Sequence, residues 1–109
     1  NYCNEKKINL KFPNDIFVNG KKICGILQEL LTFKSKKFLI IGIGINIQNN
    51  PKLENVYKTT NIFKETETKP KIEEIINEII KVYDDFFHNL NKYNYINFKK
   101  KAELLSINK

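Results

Sequence analysis

Two hydrophobic rhythms divide the chain. Residues 8–47 alternate in short apolar runs broken by turn-forming pairs, whereas 72–90 repeat apolar residues at three- and four-residue steps. In the first part, 8–11 reads as short and extended. Pro13-Asn14-Asp15 supplies turn chemistry, and Pro13 biases Phe12 away from helix. Ile16, Phe17 and Val18 form a β-rich triplet. Asn19-Gly20 follows, and because both residues tolerate positive φ it predicts a tight hairpin. A return strand is expected over 22–33, a polar turn over 34–37 and a further strand over 38–47. Sequential strands joined by tight turns make an antiparallel meander.

Residues 49–69 are polar and read as a long loop with a short helical turn near Asn55. Loops of this length are often functional. Pro70 then opens a helix, where its missing N–H costs nothing. Ile72, Ile75, Ile76, Ile79, Ile80, Tyr83, Phe86, Phe87 and Leu90 make an apolar stripe, which predicts core packing. Glu73, Glu74, Glu78, Asp84 and Asp85 take the other side. A weaker helix is expected over 94–105. Strands followed by helices predict an α+β domain, an antiparallel meander packed on one face by the amphipathic helix.

The strand "FLIIGIGINI" has two unlike faces. Alternation puts Leu39, Ile41, Ile43, Ile45 and Ile47 on one side, and Phe38, Ile40, Gly42, Gly44 and Asn46 on the other. The first suits packing under the helix. The second is hollowed by glycines, which serve where a ligand or another backbone comes close, or where a neighbouring side chain needs room. It is not a dinucleotide fingerprint, since the third glycine is missing and a polar loop follows. Gly25 repeats the theme on the preceding strand. Strict alternation would send Lys22 and Gly25 to opposite faces, so Lys22 can serve Gly25's face only from the strand start or beside a bulge. A lysine at such a hollow suits a phosphate or carboxylate; the alternative is a solvated lysine.

Composition narrows the field. The formal net charge is +7, and all 19 basic residues are lysine. Nucleic-acid binders usually also use arginine for its bidentate fork. Lysine, asparagine and isoleucine are abundant in every segment, so the charge reads as compositional bias and no nucleic-acid partner is expected. No apolar run reaches the roughly 18 residues of a membrane span, so no membrane partner is expected. Nothing at the N-terminus resembles a signal peptide, which leaves a cytoplasmic or organellar location as the expectation. With Asn1 first and no methionine, the chain is expected to be an excerpt of a longer polypeptide. Cys3 and Cys24 form neither a zinc pattern nor a disulfide framework. Cys24 is expected to be a small buried residue. The lone His88, on the polar side of the helix, is expected to be solvated.

Three linked motifs carry a resemblance. "KFPND" at 11–15, "KICGILQE" at 22–29 and "GIGIN" at 42–46 stand in the order and spacing of a family signature. That signature reads Lys-Trp-Pro-Asn-Asp, a hairpin, Lys-(Leu/Ile)-(Ala/Cys)-Gly-Ile-Leu-x-Glu, then Gly-x-Gly-x-Asn. The chain resembles the biotin protein ligases, also called holocarboxylase synthetases, whose catalytic domain has a class-II-synthetase-like fold shared with lipoate ligases. Phe12 departs from it, keeping an aromatic ring without the indole donor. The resemblance covers most of residues 9–105, and residues 1–109 are expected to be the C-terminal half of the catalytic domain. The upstream biotin and adenylate loop and the C-terminal β domain are absent, so the 109 residues alone are expected to have little or no activity.

The resemblance implies a two-step reaction using ATP, biotin and Mg²⁺. Biotin is activated as biotinyl-5'-AMP and then passed to a lysine on the acceptor domain of a biotin-dependent carboxylase. It implies Lys22 as the central catalytic residue, touching the biotin carboxyl and the phosphate. Asp15 would orient or deprotonate the incoming lysine. Gly25 and Leu27 would wall the biotin pocket, Gly42 and Gly44 would let the ligand approach, and Asn46 would help hold ATP phosphates or Mg²⁺. Lys11 and Asn14 would shape the substrate-binding turn and its charge. The alternatives are a lipoate–protein ligase and a noncatalytic basic interaction module, the latter predicting exposed aromatics among lysines on one strand face.

Overall fold

The computed structural model describes residues 8–49 and 58–106. Four strands, β1 (Ile8–Lys11), β2 (Asp15–Val18), β3 (Lys21–Phe33) and β4 (Lys36–Ile45), are followed by helices α1 (Ile62–Thr66), α2 (Ile72–His88) and α3 (Tyr95–Leu105). A single 3₁₀ turn at Leu90–Lys92 joins α2 to α3. The strands form one sheet in the order β1-β2-β3-β4, every neighbouring pair antiparallel. This is the expected meander in an α+β fold.

Turn chemistry sets the strand limits. Asn19 and Gly20 take positive φ (52° and 76°), as the primed two-residue turn requires. The β3–β4 turn is tighter than the polar 34–37 stretch suggests. Lys34 and Ser35 alone make it, both at positive φ (48° and 66°). β4 also ends earlier than expected, so Asn46 and Ile47 lie beyond the strand.

The sheet's register contains one irregularity. Ile16 faces Cys24 and Phe17 faces Lys22, so Ile23 is an extra residue on β3, a β-bulge. Ile23 and Cys24 are both buried, and with Val18 and Ile62 they make the core. Ile16, Ile26, Ile43 and Ile45 pack around them, which confirms the isoleucine face of β4 as the apolar one.

The described part of the expected long loop carries regular structure. Lys22 forms a parallel bridge with Thr59, and α1 follows, its N-terminus capped by Asn61 through a hydrogen bond from Lys64 N–H to Asn61 Oδ1 (2.8 Å). The helical turn expected near Asn55 lies outside the described residues. α2 starts at Ile72, two residues later than Pro70 suggested, with Lys71 as its N-cap.

The stripe on α2 departs from its expected role. Ile75 packs against the core, and Ile75, Ile79, Tyr83 and Phe86 are half-buried. No residue of α2 is buried, and Ile72, Ile76, Ile80 and Phe87 remain exposed. Ile41 and Ile43 of β4 face Ile79, Ile80, Tyr83 and Phe87 across an open hollow, so the sheet covers only part of the apolar arc. Phe86 stacks edge-on to Tyr93 and Phe98, joining α2 to α3. α3 ties back to β1 through Asn9, whose side-chain amide donates to the Leu105 carbonyl (3.1 Å). Among the described residues no helix is long and apolar enough to cross a membrane.

Ile62 joins α1 to the sheet core. Ile62→Ala is expected to lower the unfolding free energy by about 2–5 kcal/mol, as cavity-forming core truncations do. Chemical denaturation checks this, and a loss within error would show that α1 is not part of the cooperative core.

Candidate functional site

The antiparallel register assembles a row of side chains across all four strands. Lys11 faces Asp15, Asp15 faces Gly25, and Gly25 faces Gly44. Directly opposed residues share a face, so these four lie side by side. Leu27 and Gly42 form the next pair along the same face. The two glycine positions on β4 are open. A Cβ built at Gly44 would meet nothing nearer than the Gly25 carbonyl at 3.9 Å, and one at Gly42 nothing nearer than the Leu27 carbonyl at 3.8 Å.

The bulge delivers Lys22 to this face. Lys22 faces Phe17, which lies two residues from Asp15 and so points to the same side. The Lys22 ammonium sits 3.2 Å from Asp15 Oδ1, with both groups partly exposed. A Cβ at Gly25 would lie 3.7 Å from both Asp15 Oδ1 and Lys22 Nζ, so the missing side chain leaves room above the ion pair. The condition set by alternation is met, and Lys22 and Gly25 share a face. Lys11 lies over the Phe17 ring, its Nζ 5.7 Å from the centroid, and adds a second cation to the same side.

Asn46 closes one end of the hollow. Its backbone N–H donates to the Ile23 carbonyl (2.9 Å), and its carbonyl accepts from Ile62 N–H (3.0 Å). Its side-chain amide donates to the Thr60 carbonyl (3.1 Å), leaving the side-chain oxygen as its remaining acceptor. The hollow between Lys22, Gly25, Gly44, Asn46 and Thr59 has a volume of about 350 Å³. Asn14 stands apart. It is exposed in the β1–β2 turn, and its backbone carbonyl accepts from Ile26 N–H (2.8 Å), tying the turn to β3.

Two other candidates have structural explanations. Burial pushes the Cys24 thiol up to about 11, the Lys22 ammonium opposing this and the Asp15 carboxylate adding to it. The thiol is therefore neutral at ordinary pH, and Cys24 is the small buried residue expected. His88 is exposed, and a hydrogen bond to the Asp84 carbonyl (2.9 Å) raises its pKa. Cys3 lies outside the described residues. Among the described residues no group of three or more His, Cys, Asp or Glu side chains is arranged to hold a metal.

Periodicity missed the 58–65 segment. Lys22 N–H donates to the Lys58 carbonyl (2.8 Å), and the Lys22 carbonyl accepts from Thr60 N–H (2.9 Å). The one local signal was Asn61 ahead of Ile62, a helix-capping residue before an apolar one.

A family model described as the biotin/lipoate A/B protein ligase family matches residues 2–46. Biotin–protein ligase 2 of Arabidopsis thaliana is 35% identical over 88 residues, covering 73% of this chain and 24% of that protein. The solved structure of the Aquifex aeolicus biotin protein ligase in complex with biotin and ATP superposes with a TM-score of 0.70 at 27% identity. The chain matches part of a biotin protein ligase catalytic domain. It spans 42% of the Aquifex biotin protein ligase, which covers 92% of it. The Leishmania major biotin protein ligase in complex with biotinyl-5-AMP gives a TM-score of 0.73 at 27% identity, over 93% of this chain and 39% of that one. Every site position expected from the ligase signature lies within the stretch matched by the family model, whereas Lys58 and Thr60 lie beyond it.

The Cys24 shift has a pH signature. The folded state holds the thiol proton more tightly than the unfolded state, whose thiol titrates near its ordinary value of 9.0. Its contribution to stability is full below that value and declines as pH rises toward about 11. The stability difference between wild type and Cys24→Val is therefore expected to shrink over that interval, as measured by denaturant titration at stepped pH. A difference flat across it would show that the thiol is not held neutral.

Proposed function

We propose that this chain is the part of an ATP-dependent biotin–protein ligase that supplies its charge-stabilising lysine. The observation that carries this reading is the bulge at Ile23, which brings Lys22 onto the glycine-lined face within 3.2 Å of Asp15. The curated relative and both solved neighbours are biotin ligases, which favours biotin over lipoate.

In the first step a biotin carboxylate oxygen attacks the α-phosphate of ATP. The bond to pyrophosphate breaks and biotinyl-5'-AMP forms. Negative charge builds on the phosphate oxygens, and a preorganised ammonium at Lys22 stabilises it more than it stabilises the ground state. Gly25, Gly42 and Gly44 leave the sheet surface open for the ligand, and Leu27 supplies an exposed apolar wall beside Gly42. In the second step the ε-amine of an acceptor lysine, on the biotin-accepting domain of a carboxylase, attacks the acyl carbon. AMP leaves and the amine sheds a proton. Asp15, 3.2 Å from the Lys22 ammonium, can orient that amine or take the proton.

Magnesium would be held mainly by the phosphates of ATP. Asn46 offers one neutral oxygen, and the described residues offer no carboxylate cluster. That donor set fits an ion that keeps most of its waters and enters with a nucleotide, where it offsets phosphate charge.

A noncatalytic basic module draws support from a different place. Phe33 and Phe38 are exposed at the β3–β4 tip beside Lys34, Lys36 and Lys37, with Lys34 Nζ 5.4 Å from the Phe33 centroid. Leu31 and Ile40 are exposed on the same strip, so the aromatics belong to a broader apolar surface and not to a basic stripe. The ligase reading accounts for more of the face.

In the full-length protein, Lys22→Ala is expected to slow biotin-dependent pyrophosphate release by ~10²-fold or more, as loss of a preorganised charge-stabilising group does. A near-wild-type rate would overturn the assignment. Asp15→Asn should slow transfer to the acceptor more than adenylation, measured as separate half-reactions. Equal losses in both would restrict Asp15 to holding the turn and Lys22.

A further inference from the structure

Lys22 is gripped by its backbone as well as by Asp15. The segment that grips it, 58–60, is itself secured by one carboxylate. Glu65, in α1, accepts a hydrogen bond from the hydroxyl of the fully buried Thr60. Through its other oxygen it accepts from the Asn19 side-chain amide at 2.7 Å. Asn19 opens the β2–β3 turn that leads into Lys21 and Lys22. One side chain therefore spans the turn before Lys22 and the segment bonded to both backbone groups of Lys22. Hydrogen bonds to a carboxylate are among the stronger kinds, and the one from Asn19 joins residues 46 apart in sequence.

We propose that Glu65 is a positioning residue for Lys22, locking the 58–60 segment to the Asn19 turn so that the lysine leaves the sheet at a fixed point and angle. The proposal rests on the reading that Lys22 stabilises charge in the adenylation step. A lysine side chain is long and freely rotating, so the placement of its ammonium depends on how firmly its base is held. Loosening that base weakens an interaction realised in the transition state, and the loss falls on kcat more than on KM.

The test uses the full-length protein with two independent readouts, amide hydrogen exchange and pyrophosphate release. In Glu65→Ala, exchange at the Lys22 and Thr60 amides should rise ~10-fold or more, the mark of local opening, while the Ile26 amide, bonded to Asn14, is unchanged. The kcat of adenylation should fall ~10-fold with KM within about 2-fold. Glu65→Gln should restore both readouts, because its oxygen can accept from Asn19 while its nitrogen donates to the Thr60 hydroxyl. In a Lys22→Ala background, Glu65→Ala should cost nothing further. Unchanged exchange at Lys22, equal acceleration at Ile26, a wild-type kcat in Glu65→Ala, or losses that multiply in the double variant would each overturn the proposal. If Lys22→Ala itself turns over at the wild-type rate, the ligase reading of Lys22 falls, and the exchange readout still decides whether Glu65 holds the Lys22 backbone.

Discussion

At Ile23 the β3 backbone carries one residue more than β2 opposite it, and the two faces of the sheet are sorted by that surplus. Without it, Lys22 would share a side with Cys24 and point toward Val18 and Ile62. A buried, unpaired ammonium there would carry a heavy desolvation cost. With it, Ile23 and Cys24 both enter the core, and Lys22 joins Asp15 and Gly25 on the opposite face. A bulge also leaves backbone groups without their regular ladder partners. Here the Lys58 carbonyl, Thr60 N–H and Asn46 N–H supply partners to Lys22 and Ile23. The core, the bulge and the 58–62 segment thus form one dependency, and none can shift without moving the lysine.

The electrostatics of the face are arranged lightly by comparison. The Lys22–Asp15 pair is partly exposed, where an ion pair is worth little to stability. That suits a group meant to exchange one oxyanion for another. Backbone hydrogen bonds hold the base of the lysine in place, and the carboxylate beside the ammonium gives it a partner while the hollow is open.

Much of this was legible in the chain. Asn19-Gly20 announced its turn, and alternation in "FLIIGIGINI" separated the isoleucine face from the glycine face correctly. Alternation also posed the right question about Lys22, by showing that it needed a bulge. The bulge itself was not visible, because Lys-Ile-Cys-Gly suits a regular strand as well as an irregular one, and only pairing with β2 reveals the surplus. The Lys22–Thr59 bridge was hidden for a similar reason, since parallel pairing over a long separation leaves no local periodicity. Lys34-Ser35 carries no glycine to mark its left-handed backbone. The stripe on α2 identified a helix but could not say how much of that stripe would be covered, which depends on what lies across from it. The assignment of roles to Lys22, Asp15 and Asn46 came from motif resemblance; the register brings Lys22 and Asp15 to one face, and Asn46, beyond the end of β4, lines the hollow beside Lys22.

Asn19 was first notable as half of a turn signal, and its contact with Glu65 changes what that residue type means. Asparagine, aspartate and glycine are usually treated as near-synonyms at left-handed turn positions. Here they are not. Glycine would keep the backbone and leave a Glu65 oxygen without its donor, and aspartate would set one carboxylate against another. Asparagine alone among the three keeps both the backbone geometry and the donor. The most generic feature of the hairpin is thus also a selective one, its vocabulary narrowed by a helix encoded 46 residues away.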